Sequence, residues 1–183
     1  VRASAANNAG YLLAFAMPAF VANVLVGQNG FLTAALIGGT LASIERRPVL
    51  AGICLGLLTY KPHFGILFPF VLAAAGHWRV FFIAAATAAA ISLASVAAYG
   101  NEPWLAFLRW LPVTSQAFLS EGRAEIEKMQ SLFAIIRTLG GAEWFAWGAQ
   151  IALAAAIAAT LCWMWRSKDY RYELKAAALG AGV

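Results

Sequence analysis

The chain has 183 residues, 62% of them hydrophobic and 11% charged, and a mean hydropathy of +0.74. A soluble domain averages about 45–50% apolar and about 25% charged residues, and one core of this size cannot hide the excess from water, so lipid is the expected second solvent. The net charge of +5 sits in short basic clusters between apolar runs rather than along one stripe, which argues against a nucleic-acid partner.

The chain opens on Val1, with no basic leader and cleavage site before the first apolar run, so no signal peptide is expected. Apolar runs then cover residues 10–26, 27–44, 49–60, 64–76, 80–99 and 143–165. A straight helix needs roughly 17–25 residues to cross the hydrocarbon. The first, fifth and sixth runs meet that length, the second does so if it begins near Gly27, and the third and fourth are short. Lys61-Pro62 interrupts what would otherwise be one long apolar stretch, because proline removes a donor and turns the preceding residue away from helix. Reading residues 49–76 as two short segments puts Arg2, Arg46-Arg47, Arg79 and the group Arg166, Lys168, Arg171 and Lys175 on one side of the membrane. A single kinked span would divide Arg46-Arg47 from Arg79, so the positive-inside rule favours two segments.

On that reading the cytoplasmic face carries residues 45–47, 77–79 and 166–175. The outer face carries Gly27-Gln28-Asn29, Lys61-Pro62-His63 and a long loop at 100–141. Within the loop, residues 101–111 and 132–137 are amphipathic and suit the membrane interface. The tryptophans at 78, 104, 110, 144, 147, 163 and 165 fall at expected span ends or in this loop, where indoles prefer to lie. Gly52 and Gly56 have the spacing of a close helix–helix contact, and residues 84–90 offer a smooth packing face. Cys54 and Cys162 lie inside apolar runs and read as small buried hydrophobes. Residues 176–183 read as the start of a further span, so the chain is expected to be part of a longer protein. The expected fold is an all-α, polytopic transmembrane bundle with short broken helices and a single domain over 1–183.

Polar groups beside hydrocarbon are costly and are therefore the functional candidates. Gln28 and Asn29, with Asn23 one turn earlier, form the first cluster; a tight turn accounts for the glycines and asparagine but does not require Gln28. Lys61 and His63 form the second. The lysine either snorkels to the interface or meets a lipid phosphate, with the histidine as hydrogen-bond partner. The third is Glu121, Arg123, Glu125, Glu127 and Lys128 with Arg137 beyond them, read either as a solvated loop or as an acceptor site under a lid. No phosphate-binding loop, G-x-S-x-G or H-E-x-x-H occurs, two separated histidines argue against a metal site, and no cofactor is expected.

The order of these features is similar to glycosyltransferase family 87: Pro18, then Gly27-Gln28-Asn29-Gly30, Arg46-Arg47-Pro48, Leu50-Ala51-Gly52, Gly56-Leu57-Leu58, Tyr60-Lys61-Pro62 with Gly65, and Trp78-Arg79. The likeness runs from about residue 18 to the 104–111 stretch and returns weakly in the last span. It implies a membrane enzyme of the GT-C type that moves a sugar, mannose in characterised members, from a polyprenyl-phosphate donor to a lipid or glycan acceptor outside the cell membrane, with inversion. It also implies a general base in a first outer loop, which would lie before Val1. Residue 63 is histidine where the resemblance leads one to expect glutamine. Lys61 is then the expected ligand of the donor phosphate, with Gln28, Asn29 and His63 as polar lining. A transporter or flippase subunit is the alternative, but such proteins break their helices at midplane and commonly repeat, whereas here the breaks fall at expected outer ends and no repeat is evident. A non-catalytic scaffold would not need polar residues gathered on one face.

Overall fold

The computed structural model describes residues 17–117, 129 and 131–183. Those residues form helices and turns with no strand. In chain order they are α1 (Pro18–Leu25), α2 (Gly30–Ser43), α3 (Pro48–Leu57), two 3₁₀ turns (Leu58–Tyr60 and Pro62–Gly65), α4 (Leu67–Ala75), α5 (Trp78–Tyr99), α6 (Glu102–Ser115), α7 (Leu132–Thr138), α8 (Glu143–Arg166) and α9 (Tyr172–Gly182). Prolines open α1 and α3, where the missing N–H has no intrahelical partner to lose.

Two of these helices, α5 with 22 residues and α8 with 24, are long and apolar enough to cross a membrane. Only 11% of the apolar window of each is buried, which distinguishes them from the core helices of a soluble protein. The 14 residues of α2 and the 10 of α3 reach only about 21 and 15 Å at the helical rise per residue, short of the expected spans at 27–44 and 49–60. Residues 10–16 of the first expected span lie outside the described residues.

The core lies where α3 packs on α5 and α2, and where α4 packs on α8. Ala51, Phe68, Leu72 and Leu179 are fully buried there, with Ile44 and Leu58 nearly so. Gly52 and Gly56 face α5. A Cβ on Gly56 would stand 2.4 Å from Thr87 Cβ and 2.7 Å from the Ala84 carbonyl oxygen, and one on Gly52 would stand 2.6 Å from Ile83 Cβ. Both cysteines are unpaired and half-buried against this core.

The chain reverses between α3 and α4. The start of α3 and the end of α4 share one cleft, lined by Glu45 and Pro48 from one side and Gly76, His77 and Arg79 from the other. Residues 49–76 are therefore two segments returning to the same end. At that end α4 is stopped by Gly76, whose φ of +74° lets its N–H bond the Ala73 carbonyl at 3.2 Å while His77 N–H bonds that of Leu72 at 2.9 Å. This is a Schellman stop.

Arg-rich segments and α9 gather at that same end. Tyr172 donates its hydroxyl to the Leu41 carbonyl. Lys175 donates to the carbonyl oxygens of Ser167 at 2.5 Å and Trp165 at 3.5 Å, closing the C-terminus of α8. Trp165 is more than an interfacial indole: it is 5% exposed, donates Nε1–H to the Lys175 carbonyl at 3.2 Å, and meets His77 edge-on at 6.1 Å.

Burial holds the His77 imidazole below its ordinary value of 6.5, with Glu45 opposing and Lys175 adding to the shift. Because the folded value is the lower one, its contribution to stability is complete above 6.5 and is lost as the pH falls below it, where the unfolded chain takes up the proton first. The melting temperature in detergent should therefore fall between about pH 7.5 and about pH 5.5. His77→Gln should flatten that fall, and an equal slope in the variant would exclude His77 as its source.

Candidate functional site

At the end opposite the Arg-rich one, the turn between α1 and α2 meets the break between α3 and α4. The first of these begins at Gly27, whose φ is +66°. Its N–H reaches the Val24 carbonyl at 3.1 Å, and Gln28 N–H reaches that of Asn23 at 2.9 Å. A residue with a Cβ adopts this left-handed stop at a cost.

Asn23 explains the rest of the turn. Its Oδ1 accepts the Gly30 N–H at 3.1 Å, satisfying one of the donors left over at the start of α2. The approach is close enough that a Cβ on Gly30 would lie 2.5 Å from that oxygen. Gln28 and Asn29 are left exposed, and the Asn29 side chain makes no capping bond to α2.

The break is built around Pro62. Lys61, the residue before it, takes φ −138° and ψ 73°, outside the helical region as a following proline demands. Thr59 donates its hydroxyl to the Gly56 carbonyl at 2.6 Å, and Lys61 N–H bonds the Leu58 carbonyl at 2.8 Å. These bonds turn the end of α3 into a 3₁₀ coil and direct Lys61 toward the first turn.

Two contacts join turn to break. Lys61 Nζ donates to Gln28 Oε1 at 3.5 Å in an exposed position. Thr33, one turn into α2 and 4% exposed, shares a 2.6 Å hydrogen bond with the Tyr60 hydroxyl, and its own hydroxyl lies 3.3 Å from the Asn29 carbonyl oxygen. The ammonium also sits 6.0 Å from the centre of the Phe64 ring, at the outer reach of a cation–π contact.

Of the four residues singled out in the sequence, Gln28 and Lys61 are thus in direct contact, and Asn29 joins through its carbonyl. His63 stays apart from them. It is exposed, with its ring tilted against Phe64 at 4.3 Å between centroids. Glu121, Arg123, Glu125, Glu127 and Lys128 lie outside the described residues. Arg137 is turned to the segment that follows its own helix, where Nη1 donates to the Gly141 carbonyl at 3.0 Å. Helix α7 is docked on α8 by Gln150, whose Oε1 accepts the Phe133 N–H at 3.1 Å.

Sequence reasoning missed Thr33 and the bonding role of Tyr60. A hydroxyl inside an apolar run was the available signal for Thr33, one it shares with Thr40 and Ser43, since such groups normally find a partner.

Two clefts flank the break, and Thr59 lines both. The larger, about 570 Å³, runs between Leu32, Leu36, Leu57 and Ile91, with Tyr60, Ser92, Ser95 and Trp104 also on its wall. The smaller, about 320 Å³, is bounded by Pro62, Gly65 and Ile66 on one side and by Ala84, Ala85 and Ala88 on the other. Among the described residues no three His, Cys, Asp or Glu side chains converge as metal ligands would. The site therefore offers a cation beside a neutral amide, next to two largely apolar clefts. That combination suits an amphiphile with an anionic head.

The model of glycosyltransferase family 87 matches residues 2–183. The match continues through the outer loop and the last helices, beyond the stretch around residues 18–111 where the motifs are clearest. No curated protein and no solved structure matches the chain.

Proposed function

Because the chain belongs to glycosyltransferase family 87, we propose that it transfers a hexose, mannose, from a polyprenyl-phosphate donor to a lipid or glycan acceptor at the outer face of the cell membrane, with inversion. Membership carries the general activity, transfer of a sugar between a donor and an acceptor. The finer reading rests on one observation: Lys61 meets Gln28 at the end of the molecule opposite its Arg-rich end.

That contact matters because of what the partner is. A carboxylate would neutralise the ammonium, whereas the Gln28 amide orients it and leaves its charge available to an anion. A polyprenyl phosphate brings such an anion, and an apolar cleft of about 570 Å³ beside Tyr60 suits the isoprenoid units behind it. Several helices, α5 and α8 among them, would cross the membrane in this arrangement, with the basic segments inside and the Gln28–Lys61 junction outside.

In the inverting reaction an acceptor hydroxyl oxygen attacks the anomeric carbon from the face opposite the phosphate. One carbon–oxygen bond forms as the bond to the phosphate oxygen breaks, and the polyprenyl phosphate leaves with one more negative charge. Lys61 is suited to stabilise that growing charge, which is greater in the transition state than in the bound donor. The hydroxyl proton must go to a base. Gln28, Asn29 and Lys61 cannot supply a carboxylate, so the base is assigned to a residue outside this cluster.

The test is transfer itself. Membranes holding the full chain, given radiolabelled polyprenyl-phosphate mannose, should move label into an acceptor product. Failure with every polyprenyl-phosphate hexose, from protein shown to be folded, would overturn the proposal and favour a transporter of lipid-linked substrates.

A further inference from the structure

The two contacts joining turn to break differ in kind. Lys61 reaches Gln28 at 3.5 Å in the open, a distance at the limit of a hydrogen bond and a geometry that an entering anion would displace. Tyr60, 40% exposed, reaches the buried Thr33 at 2.6 Å, across 27 residues of sequence. A short bond with one partner buried is the better anchor, since water competes with it less than with an exposed pair at 3.5 Å.

Thr33 has one hydroxyl hydrogen and lies 3.3 Å from the Asn29 carbonyl oxygen, which can only accept. With the Thr33 hydrogen given to that carbonyl, Tyr60 donates across the 2.6 Å pair; with it given to Tyr60, the Asn29 carbonyl still accepts the Thr33 N–H at 3.2 Å. In either case the relay links the Tyr60 hydroxyl to Thr33, and Thr33 to the Asn29 carbonyl. One end lies next to Lys61 in the chain and the other next to Gln28.

Lys61 has little freedom to compensate for movement of Tyr60. Its N–H is tied to the Leu58 carbonyl at 2.8 Å, and Pro62 fixes the chain on its other side. Whatever holds Tyr60 holds the root of the lysine side chain.

We infer that Tyr60 is a positioning residue, which through Thr33 sets the Lys61 ammonium against the Gln28 turn at the spacing the donor phosphate requires. The inference rests on the reading of Lys61 as the donor-phosphate ligand. Its consequence is selective: loosening the relay weakens engagement of the donor and leaves the acceptor untouched.

The experiment compares Tyr60→Phe, Thr33→Val, Thr33→Ser, the Tyr60→Phe/Thr33→Val pair and Lys61→Ala in the full chain, with melting temperature measured beside transfer kinetics. Tyr60→Phe keeps the ring and its packing, and should raise the donor KM about tenfold, the scale of one net hydrogen bond, with the acceptor KM unchanged and the melting temperature lowered by no more than about 4 °C. Thr33→Val should do the same, the pair should lose no more than either single variant, and Thr33→Ser should restore wild-type kinetics. Wild-type kinetics in Tyr60→Phe while Lys61→Ala is inactive would overturn the relay and leave the donor site standing. A loss in Tyr60→Phe without one in Thr33→Val would also overturn it, because Tyr60 would then act on the substrate directly from the cleft wall. Full activity in Lys61→Ala would overturn the donor reading and the relay together.

Discussion

Lys61→Ala should lower sugar transfer by roughly two to three orders of magnitude, the scale seen when one pre-organised group is removed from a developing negative charge. The loss should fall on kcat as well as on donor affinity, because the leaving phosphate carries more charge in the transition state than in the bound donor. Folding should survive. The contact being removed is a long, exposed one to a neutral amide, and contacts of that kind add little to stability. Lys61→Arg should recover part of the activity, since it keeps the charge but presents it as a planar fork on a longer stem. The check is single-turnover transfer from radiolabelled polyprenyl-phosphate mannose, run beside a melting curve in detergent. Wild-type turnover in Lys61→Ala would remove the lysine from the site.

Much of this site is legible in the amino-acid sequence, for identifiable reasons. Pro62 marks a break because a ring at that position cannot continue a helix. Lys61 and Gln28 stand out because hydrocarbon penalises them and no turn requires them. That the break and the turn share an end follows from where Arg46, Arg47 and Arg79 lie, since few positive charges can be left on the outer side. The contact between Gly52, Gly56 and α5 follows from small residues four apart; Gly56 meets Thr87 and Ala84, and Gly52 meets Ile83 and Val80.

What the sequence hides are pairings between residues far apart in the chain. Nothing local to Thr33 or Tyr60 announces a bond across 27 residues, because an apolar run hides its partner among many equivalent positions. Trp165 is hidden for another reason. A tryptophan at the end of a long apolar helix has the pattern of an interfacial residue, and only the return of α9 across it buries the ring and supplies the Lys175 carbonyl. Helix length is overestimated at 27–44 because hydropathy does not register the left-handed stop at Gly27. It registers only the apolar residues on either side, and α2 begins at Gly30.

Gly56→Val should cost about 3 kcal/mol or more of stability and leave little folded protein. Overpacking of a close contact usually costs about 1–3 kcal/mol, and here relief is poor. The first added carbon would lie 2.4 Å from Thr87 Cβ and 2.7 Å from the Ala84 carbonyl oxygen, and the latter is backbone of a continuous 22-residue helix. The helices must separate, and in lipid close contact between small residues is much of what holds them together. Gly38→Ala is the matched control. Gly38 also lies within a helix, but a Cβ there meets nothing within 4 Å, so the change should be neutral or stabilise by up to about 1 kcal/mol through reduced freedom of the unfolded chain. The readout is folded yield and melting temperature in detergent; an unaltered melting temperature for Gly56→Val would mean that α3 and α5 do not meet through this face. The site should fail with the packing, because the Gly56 carbonyl holds Thr59 at 2.6 Å where the chain begins its turn toward Lys61. Activity lost together with the melting transition in Gly56→Val, and lost without it in Lys61→Ala, would separate the scaffold that presents the ammonium from the ammonium itself.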